Sequence, residues 1–310
     1  MKKTNKDQVA VSIALCTYNG ARFLVEQLES ILKQDYKNIS EIICVDDNST
    51  DSTWEILSDY AAKYQVFKIF KNVDNLGFVK NYEKAITLTS SPFIAISDQD
   101  DSWYPTKISK LVNGIGDKMM IYSDNEYIDV NGKSLGIRFS DKRNLTTCTS
   151  CLNFALFNAI SGHTILFSRE LLNYSLPFHK EIPYDFWLAF KAVQYSQIPV
   201  IYEPLVGYRQ HDSNTIGAFK KKVMEKDLSY EELNESEIRI KIFAENTAAH
   251  LQSERKVLEM LGNSYANRSF VMRIKRMLLF SKNWEQLLLF KRRSKFRKLF
   301  YCIKVFWKFD

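Results

Sequence analysis

The residues richest in chemistry stand in one short run, Phe93-Ile94-Ala95-Ile96-Ser97-Asp98-Gln99-Asp100-Asp101, where four apolar residues give way to three carboxylates. With Pro92 on one side and the acids on the other, the apolar four read as a short buried strand. Ligands of an open α/β sheet bind outside the carboxyl ends of its strands, so Asp98, Asp100 and Asp101 would face a ligand. Carboxylates this close repel one another unless a cation or a donor-rich ligand absorbs the charge. Hard divalent ions such as Mg²⁺ take oxygen ligands, commonly one or two carboxylates together with substrate phosphates. A solvated acidic turn capping the next helix is the other use of such a run.

Two more apolar runs end in polar residues of the same kind. Ile42-Ile43-Cys44-Val45 stops at Asp46-Asp47-Asn48, and Val11-Ser12-Ile13-Ala14-Leu15 leads into Thr17-Tyr18-Asn19-Gly20. A tyrosine at a strand end can stack on a flat ring, and a carboxylate can accept the imide N–H of uracil or thymine or a ribose hydroxyl. Together they suit a pyrimidine nucleoside, with a metal at the next strand holding its diphosphate. The first strand is not followed by G-x-G-x-x-G, and G-x-x-x-x-G-K-[ST] is absent from the chain, so dinucleotide redox chemistry and P-loop phosphoryl transfer lose support.

Farther on, Asp185 stands in Ile182-Pro183-Tyr184-Asp185-Phe186-Trp187, an acid among apolar and aromatic side chains. Partial desolvation there raises proton affinity, as a general base needs. The competing role is N-cap of a helix over Phe186–Ala192. Arg209 has the bidentate geometry that suits a phosphate, and a structural ion pair would use it equally well.

Strand and helix signals alternate through the first hundred residues. Helical spacing appears at Leu24, Leu28, Ile31 and Leu32, and again from Val79 to Leu88. Ser52-Thr53-Trp54-Glu55 matches a capping box before an amphipathic run. Val66–Phe70 reads as a third strand, and Met119–Tyr122 and Ile198–Tyr202 as later ones. Short connections between alternating elements imply a parallel, doubly wound α/β unit. After Gly217 the pattern turns to long charged-apolar helical stretches.

The chain has 310 residues, 45% of them hydrophobic and 14% aromatic, enough for a sizeable core. Its charged start, MKKTNKDQ, does not read as a signal peptide. The five cysteines are scattered, and Cys148-Thr-Ser-Cys151 lacks a second pair, so packing in a reducing, cytosolic compartment fits them best. Asn144–Ser168 carries no Asp, Glu, Lys or Arg. Interrupted by Asn153, Asn158, Ser161, Gly162 and His163, it reads as a buried segment rather than a membrane span. The net charge of +7 hides an asymmetry, since residues 268–310 carry a net +11. There Phe296, Leu299, Phe300, Ile303 and Trp307 fall on one helical face, with Lys295, Lys298, Lys304 and Lys308 interleaved. Cations around such a face describe an in-plane membrane helix, and no nucleic-acid motif accompanies them. A helical bundle or homo-oligomer interface is the alternative.

Val11–Asn19, Val45-Asp46-Asp47-Asn48-Ser49-Thr50-Asp51, Asn75-Leu76-Gly77 and Ser97–Lys107 resemble family 2 glycosyltransferases of the GT-A fold. Ser161-Gly162-His163-Thr164, Tyr184–Ala189 and Tyr208-Arg209-Gln210-His211-Asp212-Ser213-Asn214 are similar to its bacterial rhamnosyltransferase branch. The resemblance spans roughly residues 9–218 and implies a catalytic GT-A domain over 1–218, with a helical, membrane-associating region over 219–310. It implies a nucleotide-sugar site of Thr17, Tyr18, Asn19, Asp46, Asp47, Asn75, Gly77, Asp98 and Arg209. It further implies Mn²⁺ or Mg²⁺ on Asp98, Asp100 and His211, with Asp185 as general base. Tyr184 replaces the His that usually precedes that Asp, and Phe186 a common Trp. The expected reaction is inverting transfer from dTDP-L-rhamnose, or alternatively a UDP-hexose, to a saccharide acceptor, lipid-linked, in surface-polysaccharide synthesis. The enzyme would sit peripherally on the inner face of the cell membrane. Nucleotidyl transfer onto a sugar phosphate is the alternative from another class.

Overall fold

The computed structural model describes residues 9–212, 230–267 and 269–306. Its first half alternates as the apolar runs require: β1 (Val11–Thr17), α1 (Ala21–Leu32), β2 (Ile39–Asp46), α2 (Thr53–Lys63), β3 (Phe67–Lys71), α3 (Phe78–Leu88) and β4 (Phe93–Ser97). These four strands pair in parallel in the order β3-β2-β1-β4. Successive side chains of a strand point to opposite faces. Ile13 and Leu15 accordingly enter one core with α1 and α2, while Ala14 and Cys16 enter the other with α3. Burial on both faces is why these strands are apolar without alternation.

The second half is less regular. It runs β5 (Ser102–Trp103), α4 (Lys107–Ile115), β6 (Met120–Ile128), β7 (Ser134–Arg138), a single turn α5 (Phe139–Lys142), β8 (Ile165–Ser168), another turn α6 (Leu172–Ser175), α7 (Tyr184–Ala192) and β9 (Val200–Arg209). The sheet continues β4-β8-β6-β9-β5, with β7 on β6. β8 lies antiparallel to both β4 and β6, whereas β6 and β9 are parallel. The fold is therefore α/β with a mostly parallel sheet. The uncharged segment before Ser168 is indeed buried, as β8 and the turns leading into it. One local expectation is corrected: Ser52 caps no N–H with its side chain. Asp51 does so instead, its Oδ1 accepting from Thr53 N at 3.0 Å and from Thr53 Oγ1 at 2.5 Å.

Four helices follow, α8 (Tyr230–Glu245), α9 (Gln252–Ala266), α10 (Phe270–Leu287) and α11 (Lys295–Lys304). The boundary expected near residue 218 lies outside the described residues. These helices share a core with α3 and α7, through Phe243, Leu258, Leu261, Phe280, Phe290 and Tyr301. Phe243 stacks on Phe190 of α7 with centroids 3.9 Å apart and planes 7° off parallel. Phe290 meets Phe154 at 5.5 Å. All described cysteines are buried and unpaired in disulfides. No helix among the described residues is long and apolar enough to cross a membrane.

Phe243→Ala removes a fully buried ring from the seam between α7 and α8. It should lower unfolding free energy by about 3–5 kcal/mol in a urea titration. A loss below about 1 kcal/mol would mean that α8 contributes little to this core.

Candidate active site

The carboxyl ends of β1, β2 and β4 come into line, since Thr17 pairs with Asp46 and Leu15 with Ser97 across the ladder. At the first of these ends Thr17 Oγ1 donates to Asp46 Oδ1 at 2.9 Å. Ser49 adds its backbone N–H at 3.0 Å and its hydroxyl at 2.5 Å to the same carboxylate. Asp47 is equally engaged: Asn72 Nδ2 (2.6 Å), Leu76 N (2.8 Å) and Gly77 N (2.9 Å) all donate to it. Asn75 Nδ2 reaches the Asp47 carbonyl at 3.2 Å. Asp47 thus pins the Asn75–Gly77 turn at the start of α3, where Gly77 adopts φ +78°. Thr17, Asp46 and Asp47 are buried, whereas Tyr18, Asn19, Asn75 and Gly77 are exposed around them. Tyr18 holds its ring outward with 48% of its surface exposed. Its backbone is clamped by Gln99, which accepts from Tyr18 N at 2.8 Å and donates to its carbonyl at 3.0 Å.

The end of β4 gathers the three acids, each met by a different part of the chain. Asp98 accepts from the Tyr82 hydroxyl of α3 and lies 3.2 Å from His163 Nδ1. Burial pushes its proton affinity up, but His163 and Tyr82 outweigh that and hold Asp98 below the usual carboxylate range. Asp100 lies 2.9 Å from His211 Nε2, and burial together with the Asp98 charge pushes it upward. Asp101 is fully buried; its Oδ1 accepts from Arg209 N at 3.1 Å. Its Oδ2 lies 3.3 Å from His163 Nδ1, outside hydrogen-bond geometry. Burial raises Asp101 to about 8. For His163 burial disfavours charge, yet Asp101 and Asp98 together raise its proton affinity above the ordinary value. Behind them Lys107, also fully buried, donates from Nζ to the His163 carbonyl at 2.8 Å and rests on the Trp103 ring.

The structure brings Asp100 and His211 together as the sequence expects, and turns Asp98 towards His163. Asp98, Asp101 and His163 offer ligand atoms within 4.8 Å of one another, the one such cation-binding group among the described residues. Two members of that group escaped the sequence reading, Asp101 as ligand and His163. The available signals were the third acid of the run and a lone His in an uncharged segment. Accessibility separates the two candidate positions. Asp98 and Asp100 keep 31% and 18% of their side chains exposed, against 0% for Asp101 and 4% for His163. His211, the third residue of the outer set, is 8% exposed, and Asp98, Asp100 and His211 do not converge as closely as the inner group, where His163 sits between two carboxylates.

Arg209 requires a correction. Its side chain is fully buried rather than aimed at a phosphate. Nε donates to the Asp100 carbonyl at 2.8 Å, Nη1 to the carbonyls of Asp129 (3.2 Å) and Val130 (3.1 Å), and Nη2 pairs with Glu26 at 2.6 Å. It fixes the acidic loop from behind.

Asp185 sits in the first turn of α7, beyond the N-cap position, which Pro183 occupies. Its Oδ1 accepts from Phe186 N at 2.7 Å. Burial raises it to about 6, with Asp98 adding to the rise and the backbone N–H groups of Phe186 and Gly162 opposing it. Next to it, Tyr184 packs its ring 4.0 Å from that of Tyr82. A Cβ on Gly162 would fall 2.0 Å from the Tyr184 hydroxyl. Gly162, Tyr184, Tyr82 and Asp98 therefore form one continuous packed line beside the candidate base.

The family model for glycosyl transferase family 2 matches residues 12–174. The UDP-Glc:alpha-D-GlcNAc-diphosphoundecaprenol beta-1,3-glucosyltransferase WfaP of Escherichia coli is 31% identical over 57% of this chain and 68% of its own length. The dTDP-rhamnosyl transferase RfbG of Shigella flexneri is 28% identical over 66% of this chain and 74% of its own. Among solved structures, S. aureus TarS 1–349 in complex with UDP-GlcNAc superposes with a TM-score of 0.59 at 16% identity, covering 90% of this chain and 81% of TarS 1–349. That last likeness is one of fold.

Gly162→Ala should force Tyr184 out of its seat and lower stability by about 1–3 kcal/mol in denaturant unfolding. Adding Tyr184→Ala should recover part of that loss, because the two changes share one space. Strict additivity of the pair would show that the two residues do not compete.

Proposed function

The chain belongs to glycosyl transferase family 2, and from that membership we propose that it moves a sugar from a nucleotide diphosphate to a saccharide hydroxyl by a single inverting displacement. The observation that carries this reading is Asp185, a carboxylate raised to about 6 by burial, with the charge of Asp98 adding to the rise. Its oxygen takes the proton of the acceptor hydroxyl as that oxygen bonds to the anomeric carbon. The bond from that carbon to the diphosphate oxygen breaks on the opposite side. A base matched to neutral pH contributes about 10²–10⁴-fold. Asp98, Asp100 and His211 would hold a divalent cation, Mn²⁺ or Mg²⁺. When bound, it neutralises the charge that develops on the leaving diphosphate. The exposed Tyr18 ring stacks on the pyrimidine, inside the frame of Asn19, Asn75 and Gly77 that Asp46 and Asp47 keep in shape.

The donor is dTDP-L-rhamnose, a reading supported by the likeness to RfbG. The likeness to WfaP favours a second reading, UDP-glucose. That relative's name also supports a diphosphate-lipid-linked saccharide as acceptor, hence work in polysaccharide synthesis at the inner face of the membrane.

Asp185→Asn should leave donor affinity within about twofold while lowering kcat by two orders of magnitude or more. Equal losses in both would reduce Asp185 to a binding or structural residue. The base works as its carboxylate, so the wild-type rate should fall as pH drops through about 6 and level off above it. A pH-rate profile of wild type that lacks this acid limb would count against the assignment.

Asp100→Asn removes a charge from the outer edge while the His163 interior stays intact. Titrated with Mn²⁺ alone, wild type should gain thermal stability and the variant should gain little. An unchanged Mn²⁺ response in the variant would move the cation to Asp98, Asp101 and His163.

A further inference from the structure

A surface helix of a globular protein ordinarily turns its apolar stripe towards the core. α11 does the reverse. It packs inward through Tyr301 and Cys302, 4% and 1% exposed, with Val305 just beyond its end. Its stripe of Phe296, Leu299, Phe300 and Ile303 is 79, 44, 62 and 55% exposed. Phe270, Val271 and Leu278 of α10 are likewise open, at 67, 59 and 57%. The Phe270 ring meets Phe306 edge-on at 5.5 Å, which brings the start of α10 against the end of α11. Exposed apolar surface of this extent, contributed by two adjacent helices, marks an interaction face.

The cations beside it indicate what that face meets. Lys291, Arg292, Arg293, Arg297 and Lys298 line one cavity of about 520 Å³ at the turn into α11. On α11, Arg297 and Lys304 stand about 100° and 80° of helical turn from Phe296, so cations flank the apolar stripe, whereas Lys298 turns towards the side of Tyr301 and Cys302. Arg292 touches Asp141 at 3.4 Å, and Glu285 and Asp310 are the two acids of residues 268–310. A second copy of the chain docking here would bring two cationic clusters together. A nucleic acid would meet the cations and leave four large apolar side chains in water.

We propose that the α10–α11 hairpin docks on an anionic lipid bilayer, its stripe entering between headgroups while the Lys291–Lys298 cavity receives their phosphates. For its purpose, though not for its evidence, this rests on the reading of a lipid-linked acceptor. Apolar insertion and headgroup attraction act together in such in-plane helices.

The test is co-sedimentation of the full chain with vesicles of phosphatidylcholine, with and without phosphatidylglycerol. Two variants run beside it, Phe296→Ser/Phe300→Ser and Arg292→Gln/Arg293→Gln/Arg297→Gln. All these side chains are exposed, so unfolding midpoints should match wild type. Wild type should bind the anionic vesicles at least about tenfold more tightly than the neutral ones. The stripe variant should lose about tenfold, with the remainder released by salt, and the charge variant should no longer distinguish the two vesicles. Equal partitioning of all three proteins overturns the proposal. So does a wild-type dimer in sedimentation velocity that the stripe variant converts to monomer without any vesicle binding. Donor turnover on a water-soluble acceptor separates the two readings. Vesicle binding in the expected pattern without turnover removes the catalytic reading alone, and turnover in all three proteins with equal partitioning removes the docking alone.

Discussion

Three carboxylates within four residues, at the mouth of a buried strand, are the constraint around which the rest of the sheet edge is arranged. Two unit charges 4 Å apart interact by about 4 kcal/mol at the effective dielectric of a protein surface, so such a cluster cannot stand uncompensated. The compensation comes from four separate places. His163 precedes β8 and bridges Asp98 and Asp101; His211 follows β9 and meets Asp100. Arg209 anchors the loop backbone, and Lys107 lies behind His163. Apart from Lys107, which opens α4 six residues after Asp101, these partners are distant in sequence. Closing the sheet through β8 and β9 is what makes the acidic turn tolerable.

The same closure places the candidate base. α7 approaches β4 through Tyr184 on Tyr82, whose hydroxyl in turn holds Asp98. Its opposite side is braced by the C-terminal helices, with Phe243 flat on Phe190 and edge-on to Phe186. A displacement of about 1 Å in a catalytic group can cost about 10²-fold in rate. The nine-residue helix that carries Asp185 is thus packed on both sides, by α3 and by the C-terminal helices.

Much of this was legible in the residues. β1, β2, β3 and β4 announce themselves because strands buried on both faces need continuous apolar runs, and their polar ends mark the ligand edge. Asp100 was legible as a strand-end acid, whereas its partner His211 came from the resemblance to the family and not from local pattern. The rest depended on partners that local pattern does not encode. β8 is four residues in a long uncharged segment, and nothing local says that it runs antiparallel. Arg209 has the geometry for phosphate, and only burial beside Glu26 and three carbonyls reveals its use. The α11 stripe was plain from its spacing, whereas its outward aim required the buried Tyr301 and Cys302 to be seen. Ser52 illustrates the point at the smallest scale. Its box was correct in spelling, yet the side chain that meets the helix start is Asp51, one residue earlier, on the N–H and hydroxyl of Thr53.

The candidate base and the acidic edge are close enough that two charges of that edge act on Asp185 in opposite directions. Asp98 raises its proton affinity and His163 lowers it, and these two lie in contact with each other. What remains is burial against Tyr184, Phe186 and the α7 wall, which is the largest contribution. The ion pair of Asp98 with His163 is more than compensation for a crowded strand end. It also sets two opposed charges near Asp185, one raising and the other lowering its proton affinity, while burial among apolar and aromatic side chains decides the direction.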